Sequence, residues 1–87
     1  MMLPTIHLNG TSRESLRKQI SEAARAVATA MVALSDMAPH GRDYYPQGDS
    51  AYLMAVKEHK ARAESLRSVY NELMMMVEHV MDAGNGR

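Results

Sequence analysis

The sequence predicts a mainly α protein: a long antiparallel two-helix hairpin with a short N-terminal β-strand, assembled as a homo-oligomeric helical bundle. Three observations predict it. Two long stretches carry apolar residues at alternating steps of 4 and 3, a Pro/Gly-rich segment separates them, and a short alternating segment ending in Asn9-Gly10 precedes them. The expected layout is a single domain over 1–87, with a strand arm at 3–9, a first helix at 12–38, a connecting loop at 39–49 and a second helix at 50–83.

In Thr5-Ile6-His7-Leu8, polar and apolar residues alternate and two are β-branched, as in a strand, and Asn9-Gly10 is a strong turn signal. A lone strand does not persist in water, and no second one is visible. Its expected partner is therefore the same segment of another copy; the plainer alternative is an extended arm packed on the helices. Thr11-Ser12-Arg13-Glu14 fits a capping box, in which the Thr11 hydroxyl and the Glu14 carboxylate satisfy free donors at a helix start near Ser12.

The first helix has its expected seam at Leu16, Ile20, Ala23, Val27, Ala30, Leu34 and Met37, and Pro39 and Gly41 stop it. Residues 26–34 are apolar on nearly every face, which one neighbouring helix cannot cover. The second helix, capped by Asp49 or Ser50, has its seam at Tyr52, Val56, His59, Ala63, Leu66, Tyr70, Leu73, Val77 and Val80. It outreaches the first, and Gly84 and Asn85 end it. Its surplus turns hold Met74, Met75, Met76 and Met81, an adaptable apolar surface suited to self-association or to a foreign protein.

Composition excludes several classes. The 87 residues hold nine Met but no Phe or Trp, so the apolar 46% lacks large anchors and suggests a core completed by other chains. Zero Cys removes disulfides and thiolate metal sites. No signal peptide and no membrane-spanning segment is expected. Ten basic residues balance ten acidic ones, which argues against a DNA or RNA polymer as partner. A small anion needs only one local positive patch.

The connecting loop holds the densest chemistry. His40 to Gly48 reads His-Gly-Arg-Asp-Tyr-Tyr-Pro-Gln-Gly, and with Pro39 the stretch contains two of the three prolines and two of the four tyrosines. Tyr44 and Tyr45 offer flat faces with polar tips, Arg42 a fork of donors for phosphate or carboxylate, and His40 a further polar group. Equally, the tyrosines could close the end of the core while Arg42 pairs with Asp43 or helical carbonyls. His59 on the seam reads as a core histidine held by one hydrogen bond. His79 and Asp82, one turn apart, are too few for a metal site. Motifs for nucleophilic, phosphate-loop or zinc-hydrolase chemistry are absent, so neither catalysis nor a cofactor or metal is expected.

Together, Thr5-Ile6-His7-Leu8-Asn9-Gly10-Thr11-Ser12 and Gly41-Arg42-Asp43-Tyr44-Tyr45-Pro46-Gln47-Gly48 resemble a group of short proteins encoded by tailed phages and prophages of Proteobacteria, usually without an assigned function. In outline, a small oligomeric helical hairpin is also similar to the sponges with which phages sequester cyclic oligonucleotide or cyclic ADP-ribose-type immune signals. That likeness is architectural analogy. It implies an anti-defence protein acting in the cytoplasm of the infected host, with Arg42, Tyr44, Tyr45 and His40 on the ligand, and His7 and Asn9 added if the strand meets another subunit's loop. The alternatives are a module that grips a host defence protein directly and a structural phage component.

Overall fold

The computed structural model describes residues 1–83. Two helices, α1 (Arg13–Asp36) and α2 (Asp49–Ala83), pack side by side as an antiparallel hairpin, and two short 3₁₀ turns, Gly41–Asp43 and Tyr45–Gln47, join them. Helices of 24 and 35 residues run to about 36 and 52 Å. The expected terminators Gly84 and Asn85 lie outside the described residues.

The start of α1 is set by Ser12, not Thr11. The Ser15 backbone N–H donates to Ser12 Oγ at 3.1 Å, so the capping hydroxyl sits one residue later than the capping-box reading placed it. Glu14 consequently does not reach back to the cap. It takes a two-pronged contact from the Arg17 guanidinium, whose Nε lies 3.1 Å from Glu14 Oε1. This hydrogen bond, more than the charge alone, holds the Glu14 carboxyl below its ordinary value and raises Arg17. A carboxylate lowered by folding contributes stability above its unfolded pKa and loses it on acidification. The Glu14 side chain is 70% exposed, so the contribution is screened and small.

Along α2 the expected seam is the packed one: Val56, His59, Ala63, Leu66, Tyr70, Leu73 and Val77 are half-buried and Val80 is buried, while Tyr52 at the loop end is 37% exposed. On α1 the packed seam is Leu16, Ile20, Ala24, Val27, Met31 and Leu34. Ala23, Ala30 and Met37, expected there, are exposed. The cause is that residues 23–34 are so rich in Ala that adjacent faces carry nearly the same pattern, and α2 selects the face with Met31 over that with Ala30.

No strand is present among the described residues. Residues 1–6 form an extended arm, and Gly10 N–H donates to His7 C=O at 3.1 Å in the turn that Asn9-Gly10 signalled. The arm lies on the end of α2: His79 Nε2 meets the Pro4 carbonyl at 2.8 Å, and Leu3, Pro4, Thr5 and Ile6 form a groove with His79 and Ala83. Because a carbonyl only accepts, the His79 proton is fixed on Nε2. His79→Ala is expected to release the arm at a cost of about 1 kcal/mol, seen as faster amide exchange over residues 5–10 with the α1 and α2 seams still protected.

A single hairpin leaves this chain poorly buried. Ile20, Ala24 and Val80 are the core. The accessible surface is 6671 Å², against about 5,100 Å² for a compact protein of 9.7 kDa. The radius of gyration is 18.9 Å, against about 12 Å for a compact chain of this length.

Candidate functional site

The loop end is built by consecutive tight turns. Asp43 and Tyr44 N–H donate to the carbonyls of His40 and Gly41, and Gln47 and Gly48 N–H to those of Tyr44 and Tyr45, at 2.9 to 3.2 Å. Pro46 fixes the second turn. Gly48, with φ 109° and ψ 166°, then redirects the chain into α2. That backbone region belongs to glycine, so the sharp junction depends on it. A side chain at Gly41 would meet nothing within 4 Å, and no such requirement holds there.

Arg42 sits on this platform with its guanidinium turned to a histidine and not to a carboxylate. Among the described residues it makes no ion pair, so the expected alternative pairing with Asp43 is not formed. Its one hydrogen-bonding side-chain partner among the described residues is His40, whose Nδ1 accepts from the Arg42 backbone N–H at 3.2 Å while Nε2 lies 3.3 Å from Arg42 Nη1. A neutral imidazole that accepts at Nδ1 carries its proton on Nε2. In that tautomer Nε2 and Nη1 are both donors; in the other, Nε2 accepts from Nη1 and the contact at Nδ1 is given up, so one neutral ring serves only one of the two contacts. Either way the remaining guanidinium donors face solvent and can take a phosphate or carboxylate oxygen.

The two tyrosines separate in role. Tyr45 is 76% exposed with its ring open to solvent. Tyr44 is half-buried and lines a 280 Å³ depression with Gln47, Ser50, Ala51, Met54, Ala55 and Glu58. Of the two, which together could have closed the end of the core, Tyr45 is thus open and Tyr44 partly covered. His7 and Asn9, the other expected ligand residues, are exposed before α1 begins, and the length of α1, about 36 Å, separates them from the loop. One chain brings His40, Arg42, Tyr44 and Tyr45 together and leaves His7 and Asn9 at the opposite end.

A second set of donors includes two residues, Ser35 and Arg67, that the sequence did not single out. In the groove between the helices, Ser35, His59 and Arg67 line a 210 Å³ depression floored by Met31, Leu34 and Ala63. His59 lies on the seam as expected but has no hydrogen-bond partner among the described residues, and Arg67 has no ion pair there. The Ser35 hydroxyl does not bond back to its own helix, as those of Thr29 and Ser65 do. Only the antiparallel register, which sets Ser35 beside residues 59–67, reveals the cluster.

No group of three or more His, Cys, Asp or Glu side chains capable of holding a metal occurs among the described residues. No helix of the described residues is long and apolar enough to cross a membrane. No protein-family model, curated protein or solved structure matches the chain.

Proposed function

We propose that this chain is a non-catalytic, self-associating binding module of phage or prophage origin that sequesters a small nucleotide immune signal, of cyclic oligonucleotide or cyclic ADP-ribose type, in the host cytoplasm. The observation that carries the reading is the loop end: an arginine fork next to a histidine ring and without an acidic partner among the described residues, with an exposed tyrosine three positions on. A phosphate takes the guanidinium's free donors, and a base stacks on Tyr45 for about 1 to 3 kcal/mol. One loop supplies one fork and one open ring, so a ligand with several phosphates and bases is better held where copies of the loop meet. Ser35, His59 and Arg67 offer a second donor cluster for the same class of ligand.

A direct protein-inhibiting role is favoured by a different feature. Met74, Met75 and Met81 on α2 are 39, 57 and 44% exposed, an adaptable surface for a host defence protein.

The sequestering role predicts that protein purified from cells accumulating such a signal carries it, and that heat denaturation releases it with unchanged mass by mass spectrometry. Release of a hydrolysed product would contradict sequestration without cleavage. Protein carrying no nucleotide would contradict the ligand reading and direct attention to the methionine surface.

A further inference from the structure

The two sides of the hairpin differ. On one side lies the groove with Ser35, His59 and Arg67 and, further along, Ser21, Arg25 and Met74. In an antiparallel helix pair, the positions flanking the seam on its other side also face one another. There α1 presents Ala23, Ala26, Ala30, Ala33 and Met37, again at steps of 3 and 4, all exposed. Beside them α2 presents Ala55, Val69 and Met76. Arg62 is the charged residue in that α2 row, and it turns to Glu58, 3.9 Å away. This is a second seam parallel to the first, with nothing packed on it.

We propose that a second copy of this chain docks on this face, α1 stripe against α1 stripe, to close a four-helix bundle. The proposal rests on the self-association in the functional reading and names the surface responsible. Area argues for it. The overlap of the helices, about 36 Å long and 20 Å wide, offers about 700 Å² per chain, close to the roughly 800 Å² that a stable interface takes from each partner. Burying it would remove almost half of the excess surface of the lone hairpin. Chemistry argues for an identical partner. The α1 stripe bears no charge, Arg62 beside it on α2 is paired with Glu58, and the chain has zero net charge, so two copies meet without net repulsion. Alanines let helix axes approach to the near end of the usual 8–10 Å range. A two-fold axis sets the same stripe against itself.

The test uses Ala30→Glu, with Ala61→Glu on the exposed outer surface of α2 as control, both checked for helicity and followed by sedimentation. The wild type and the control are expected to self-associate, and Ala30→Glu to weaken association at least tenfold, because each copy then buries an unpaired carboxylate in the interface. Since the chain lacks Cys, single cysteines at Ala23, Ala26, Ala30 and Ala33 report contact directly. At least one position, that nearest the two-fold axis, is expected to give a disulfide-linked dimer, and Ala61→Cys none. A wild-type oligomer that tolerates Ala30→Glu and crosslinks through position 61 alone would overturn this face while leaving self-association standing. A monomeric wild type would overturn both.

Discussion

Replacing Val80 by Asp is expected to unfold the hairpin. Val80 is fully buried and belongs to a core of three residues. An ionised carboxylate placed there without a partner costs several kcal/mol after relaxation. The whole stability of a chain this size is about 4 to 13 kcal/mol, so one such penalty removes most of it. Val80→Ala, which leaves a cavity without a charge, is expected to cost less and to leave a folded protein with a lower melting temperature. Circular dichroism at 222 nm as a function of temperature checks both. A cooperative melt for Val80→Asp equal to that of the wild type would mean that the buried end of α2 does not hold the structure together.

The second large effect is at Gly48. Its φ of 109° and ψ of 166° lie where side-chain-bearing residues pay about 1 to 3 kcal/mol in strain. Gly48→Val should destabilise by that amount in denaturant titration, and through the junction also shift the platform carrying Arg42 and Tyr45. Gly41→Ala, at a position with open space around it, should be close to neutral. The contrast separates conformational strain from a general sensitivity of the loop, and equal effects at the two glycines would contradict the junction argument.

What the sequence disclosed follows the range of the interactions involved. The seam of α2 was legible almost position by position, because large apolar residues at 4 and 3 steps alternate with charged ones and leave one face to bury. On α1 the same reasoning took Ala23 and Ala30 for packed positions, since two alanine-rich faces lie side by side and only the partner helix distinguishes them. The strand expected at residues 3–9 rested on local alternation. The conformation instead follows a long-range contact, the His79 to Pro4 hydrogen bond, which occupies the arm on α2.

The loop was recognisable as chemically dense, yet its donor arrangement was not. That His40 and Arg42 face each other, and that Asp43 leaves Arg42 alone, depends on the 3₁₀ turns and not on residue type. Ser35 and Arg67 escaped notice, and His59 was read as a core histidine, for a similar reason: the three are up to 32 positions apart in the sequence, and only the register of the hairpin joins them.

The measurement that bears most directly on the proposed sequestering role is calorimetric titration of the purified protein with a panel of cyclic dinucleotides, cyclic trinucleotides and cyclic ADP-ribose isomers. Tight binding to one class is expected, weakened about 5- to 150-fold in Tyr45→Ala from the lost stacking and also weakened in Arg42→Ala, with self-association unchanged in both. Silence across the panel from an intact oligomer, or binding indifferent to both substitutions, would contradict the account of the loop end as the ligand site.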